Sequence, residues 1–208
     1  MQRESLVFAV SGVFFGLLVG WIIGSQQGGS GSRLKAPAAA PAAQSTATAN
    51  PSPPPLDENR TRALSAQAEA NPKDAAVRVV LANLYFDAER YAEAIRWYED
   101  ALKIDPKNVN ASTDLGIAFY YSSQIDRALQ QLEYSLSVDP KHAKTLLNQG
   151  IVRAFGKQDL DGAAKSWEQA VAISPASQEG RAARQALDNM RSAHPGVGGD
   201  APAKPPGS

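Results

Sequence analysis

Along residues 75–104 the apolar positions follow the period of a helix, with one interruption. Val77, Leu81, Leu84 and Tyr85 fall on one helical face, and Ile95, Tyr98 and Leu102 on another. The pattern predicts α-helices over 75–88 and 91–104. The "AER" between them is short enough only for an antiparallel pair. A pair built this way still exposes an apolar face, so it needs a neighbour of the same kind to cover it.

The neighbours are written into the chain. "ALKIDPKN" at 101–108 returns as "SLSVDPKH" at 135–142 and as "AVAISPAS" at 170–177, with "ANPKD" upstream at 70–74. Pro72, Pro106, Pro140 and Pro175 are spaced 34, 34 and 35 residues apart. With each proline set as position 32, small residues align with small and large with large. Position 8 holds Ala82, Gly116 and Gly150, and position 11 holds Tyr85, Phe119 and Arg153. Position 20 holds Ala94, Ala128 and, with one inserted residue in the third copy, Ala163. Position 24 holds Tyr98, Leu132 and Trp167, and position 27 holds Ala101, Ser135 and Ala170. Proline ends each second helix by driving its predecessor out of the α region, and Asp105 or Asp139 before it starts a turn. Periods of this length signal stacked units.

These residues resemble the tetratricopeptide repeat (TPR) family, whose unit of about 34 residues carries large, small and proline positions at these offsets. The resemblance covers 75–175 in three copies. It departs from the family at position 4, where Arg78, Ser112 and Leu146 replace an aromatic, and at Gln149 and Arg153 of the third copy. It implies an all-α fold, a right-handed α-solenoid of three TPR helix pairs with flanking helices. Upstream, Asp57–Ala70 reads as a helix that lays Ala63, Leu64 and Ala68 against the first pair. Downstream, 178–192 reads as a cap with Ala182, Ala183, Ala186, Leu187 and Met190 inward.

The resemblance also implies a protein or peptide partner held in a concave groove lined by the first helix of each pair. The groove residues would be Asn83 and Phe86 in copy one, Asp114, Ile117, Tyr120 and Tyr121 in copy two, and Asn148, Ile151 and Phe155 in copy three. Aromatic anchors often dominate interface energies, and the Asn83 and Asn148 amides offer both donor and acceptor to a peptide backbone. One TPR subclass clamps the C-terminal carboxylate of chaperones. Asn83 and Lys144 match that clamp, but Val79, Asp114 and Asn148 do not, and an acid at Asp114 repels a carboxylate. That ligand is rejected.

Outside the repeats the chain changes character. Ser5 to Gly24, "SLVFAVSGVFFGLLVGWIIG", carries no charge over 20 residues, long enough to span a hydrocarbon core of about 30 Å. A cleaved signal peptide is the rival reading, but its apolar stretch is normally shorter, and Trp21 sits where an interfacial aromatic would. The expectation is a single-pass anchor in the inner membrane with the repeats extracytoplasmic. Gly12, Gly16, Gly20 and Gly24 share one helix face along which two such helices can approach, so a homodimer through the anchor is a further reading. The chain therefore divides into an N-terminal transmembrane helix (1–24), an Ala/Pro/Gly/Ser-rich linker (25–55), the repeat domain (56–192) and a disordered tail (193–208). Within the domain the repeats run over about 75–106, 109–140 and 143–175, with the capping helix at 178–192. Membrane-anchored repeat modules of this layout resemble bacterial cell-envelope scaffolds, by analogy of architecture alone.

Composition narrows the chemistry. The 208 residues hold 21 Lys and Arg against 21 Asp and Glu. The repeat domain holds 17 against 19, so the basic excess of a nucleic-acid binder is missing. No cysteine is present, which excludes disulfides, thiolate metal sites and cysteine nucleophiles. Of the two histidines, His142 lies in an inter-repeat turn and His194 in the tail, neither with a ligand partner one helical turn away. No phosphate-binding glycine loop follows a predicted strand. No cofactor, metal site or enzyme activity is expected. The leading reading is a membrane-anchored scaffold for a protein partner, and the alternative is a structural protein that self-associates without a dedicated ligand.

Overall fold

The computed structural model describes residues 54–196. Eight α-helices follow one another among the described residues: α1 (Glu58–Ala70), α2 (Ala75–Asp87), α3 (Tyr91–Ile104), α4 (Val109–Tyr121), α5 (Ile125–Val138), α6 (Ala143–Ile151), α7 (Leu160–Ile173) and α8 (Gln178–Ala193). α6 runs on as a π-helix over Val152–Lys157. The expected anchor with Gly12, Gly16, Gly20 and Gly24, the linker up to residue 53 and the tail from residue 197 lie outside the described residues. Among the described residues no helix is long and apolar enough to cross a membrane.

The prolines punctuate as their spacing implies. In each inter-pair turn the N–H of the residue after "Pro-x" donates back across the proline. Asp74 bonds Asn71 O at 3.0 Å, Asn108 bonds Asp105 O at 3.3 Å, His142 bonds Asp139 O at 3.2 Å, and Ser177 bonds Ser174 O at 3.1 Å. Proline sits second in all four turns, where its fixed φ suits it. The last turn residue then caps the next helix: Asp74 Oδ1 accepts from Val77 N, Asn108 Oδ1 from Ala111 N and Ser177 Oγ from Gly180 N. His142 departs from this scheme. Its Nδ1 lies 2.7 Å from Thr145 Oγ1, which in turn lies 2.6 Å from Thr113 Oγ1 on the neighbouring first helix.

Within each pair the first helix ends on a residue in the left-handed region, Glu89, Ser123 and Gln158, at φ 56°, 60° and 58°. Arg90 N donates to Tyr85 O and Gln124 N to Phe119 O, both at 2.8 Å, which closes a Schellman cap in the first two copies. The matching bond in copy three joins Asp159 N to Arg153 O at 2.9 Å and spans one residue more. The insertion inferred from the 35-residue spacing therefore falls after Arg153, and the π-helix absorbs it.

The core is a seam of small residues against large ones. Tyr98, Leu132 and Trp167 are 2%, 0% and 2% exposed. Each fills the space that Ala82, Gly116 and Gly150 leave on the facing helix. A Cβ on Gly116 would come within 2.9 Å of Leu132 Cγ, and one on Gly150 would overlap the Trp167 indole. The indole N–H is fixed by a 3.0 Å bond to Leu147 O. Ala94, Ala128 and Ala163 are fully buried where the two helices of each pair meet.

The flanks follow the expectation in part. Ala182, Ala183, Ala186, Leu187 and Met190 of α8 are buried against α7 and α6. On α1, however, Thr61 and Ala68 face the first pair while Ala63 is exposed. Thr61 and Ala68 stand two turns apart, and Ala63 lies about 200° around the helix from Thr61. Arg78, the unusual residue at position 4, ties this joint: its guanidinium donates to Asn71 O, Asp74 O and Ala68 O at 3.2, 2.8 and 3.0 Å. An aromatic there would leave the carbonyl end of α1 without that partner.

Candidate functional site

The helices α2, α4 and α6, with the π-helix that continues α6, carry the residues expected to line a groove. Val80 and Asn83 of α2 are exposed, and Phe86 is half-buried beside them. Asp114 and Ile117 of α4 are half-buried, as are Tyr120 and Tyr121. Asn148 of α6 and Phe155 of the π-helix are half-buried, while Ile151 is buried at 8% exposure.

The aromatic rings converge on one edge of this face, where first helices end and second helices begin. Tyr91 and Tyr121 stack with centroids 5.0 Å apart and planes at 12°. Phe86 meets Tyr91 and Tyr121 edge-on at 5.4 and 5.7 Å, and Tyr120 meets Tyr121 at 5.5 Å. Such offset and edge contacts add about 0.5–1.5 kcal/mol beyond area burial. Sequence reading missed Tyr91. Its signal is its place directly after the left-handed turn, at the first residue of a second helix and beside the end of the first. Tyr120 also reaches copy three, because Gly156 leaves room for its ring and for Ile125. Phe86, Ile117 and Tyr120 pack against the core cluster, so these side chains both floor the face and brace adjacent copies.

The polar half of the face is a short network. Tyr98, reaching through from α3, donates its hydroxyl to Asn83 Oδ1 at 2.6 Å. Lys144 Nζ lies 2.6 Å from Asp114 Oδ1. The Asn148 amide donates to Lys144 O at 2.9 Å within its own helix. Both asparagines thus hold an internal bond, and what Asn83 still offers outward is its NH2 group. Partial burial raises the Asp87 carboxyl above the ordinary range, and Asp114 adds to this. Burial, with Asp114 and Asp87 behind it, pushes the Tyr98 phenol far above its ordinary value. Burial does the same to Tyr121 and, less strongly, to Tyr91 and Tyr120. The phenols therefore stay neutral donors at any physiological pH.

A second concavity is lined mainly by residues of α3 and α5. This cleft of about 540 Å³ has Leu102, Leu115 and Phe119 among its lining residues. Two contacts cross its rim. Arg127 bridges to Glu99 at 3.0 Å while its guanidinium covers the Phe119 ring at 4.0 Å, and the Tyr134 hydroxyl donates to Pro106 O at 2.9 Å. Among the described residues no group of three histidine, cysteine or acidic side chains is placed to hold a metal ion.

Comparison with known proteins agrees with this geometry. The family profile described as "TPR repeat" matches residues 82–122, and that described as "Tetratricopeptide repeat" matches 113–179. Among solved structures, the first TPR of Spaghetti (RPAP3) bound to HSP90 peptide SRMEEVD is similar, with a TM-score of 0.52 and 25% identity over 57% of this chain and 91% of that one. The first TPR domain of human RPAP3 gives a TM-score of 0.54 and 25% identity over 59% and 94%. The Sgt2 TPR domain from Aspergillus fumigatus gives 0.53 and 24% over 64% and 86%. No curated protein matches the chain in sequence.

Proposed function

Residues 82–179 of the chain belong to the tetratricopeptide-repeat family, and from that premise we propose a membrane-anchored scaffold that binds a protein or peptide partner on the face of α2, α4 and α6. The observation that carries this reading is the makeup of that face. It combines exposed Val80 and Asn83, half-buried Phe86 and Ile117 and the carboxyl of Asp87, a mixture of apolar floor and directional polar groups suited to a peptide. The similar TPR of Spaghetti is bound to a peptide, which supports the class of partner.

The membrane half of the proposal rests on the uncharged stretch from Ser5 to Gly24. With that anchor the repeats work close to a bilayer, and the role that suits this layout is assembly or maturation of a cell-envelope complex. Two measurements test the halves separately. Intact mass of the membrane-bound form is expected to show a chain starting at Met1 or Gln2, and a start near Ser25–Ser32 means a cleaved signal. Capture of a stoichiometric partner by the full chain is expected to be lost with Val80→Gln at an unchanged melting temperature. Capture that survives Val80→Gln places the binding surface elsewhere.

A further inference from the structure

We infer that the segment bound on this face is cationic: a peptide that lays apolar side chains on Val80 and Phe86 and points a lysine or arginine at Asp87 and Asp114. The inference rests on the binding role proposed above and names the chemistry of the partner.

Three charged groups occupy the groove positions of the first helices, Asp87, Asp114 and Lys144. Lys144 is already committed, with its Nζ 2.6 Å from Asp114 Oδ1. Asp87 makes no ion pair among the described residues. It is the last residue of α2, whose final turn carries no basic side chain. The carbonyl end of a helix holds a partial negative charge, so its dipole adds to the carboxylate instead of offsetting it. The Tyr98 hydroxyl, which feels the charge of Asp87, donates to Asn83. Partial burial raises the Asp87 carboxyl, and Asp114 is close enough to add to this. An incoming ammonium or guanidinium supplies the missing charge. An acidic segment meets two carboxylates and one lysine whose charge Asp114 already offsets, so repulsion outweighs attraction. Neutral apolar contact remains available to either, so charge selects among ligands that the face already accepts.

The test is selection of a random dodecapeptide display library on the full chain in detergent, followed by affinity measurement on the enriched peptides. Enriched peptides are expected to carry lysine or arginine next to leucine or an aromatic residue. Asp87→Asn should weaken such a peptide by about tenfold, the worth of one close charge pair. The same peptide with its basic residues changed to glutamine should be insensitive to Asp87→Asn. Lys144→Gln, which frees Asp114, should tighten the cationic peptide, an effect that damage to the fold would not produce. The acidic peptide SRMEEVD should bind more weakly than any of these. Enriched peptides that are neutral or acidic yet lose affinity with Val80→Gln would overturn the charge inference and leave the binding face standing. Peptides indifferent to Val80→Gln, or no enrichment, would overturn both.

Discussion

The seam inside each helix pair and the face of the first helices use the same three helices in opposite ways. In the seam, size is everything: Ala82, Gly116 and Gly150 are small because Tyr98, Leu132 and Trp167 must fit, and these side chains are buried. On the face, chemistry varies from copy to copy, as Asn83, Ile117 and Ile151 at one position illustrate. The seam therefore recurs in size from copy to copy, while the face that we propose for recognition does not recur in chemistry.

That contrast breaks most visibly at Trp167. Trp167→Ala is expected to cost about 3–5 kcal/mol, since the cavity is large and the Leu147 carbonyl loses its donor. Denaturant unfolding of the variant checks it. Gly150→Ala should cost about 1–3 kcal/mol despite alanine's better helix propensity, because the indole it would strike is bonded in place. Val80→Ala at an exposed position of the face should leave the melt unchanged, and equal losses at the two sites would erase the distinction between seam and face.

Smaller changes sharpen the comparison at the turns. Ser123 adopts φ 60° without being glycine. Ser123→Gly is expected to gain up to about 1 kcal/mol by removing left-handed strain, read as a rise in melting temperature. The smallest effect belongs to Asp87. Its carboxyl is raised above 3.8 in the fold, so the native state holds the proton more tightly than the unfolded chain does. Between those two values stability falls as pH rises, and at pH 7 the charged form is penalised. Asp87→Asn should therefore raise the melting temperature slightly at pH 7, and the difference should vanish below about pH 3.8, where both states are protonated.

The sequence made the seam legible because the seam repeats. Helical spacing over 75–88 and 91–104 anticipated α2 and α3 within a residue. The 35-residue gap before Pro175 announced an insertion, though only the shifted Arg153–Asp159 bond locates it. What stayed hidden depends on contacts that a period does not encode. Thr61 replaced Ala63 on the inner side of α1, because apolarity alone misjudged which side turned inward. Arg78 looked like a defect and proved to be the cap of α1. Tyr91 joined the aromatic edge through the path of a turn. Asn83 and Asn148, read as open amides, each satisfy a neighbour first.

The central claim is that recognition uses the first helices and not the cleft between the second ones. Hydrogen exchange of the full chain, with and without its captured partner, tests it most directly. Slowed exchange is predicted in 75–87 and 109–121, with 91–104 and 125–138 unchanged. Slowing confined to α3 and α5, around Leu102, Arg127 and Tyr134, would contradict the account.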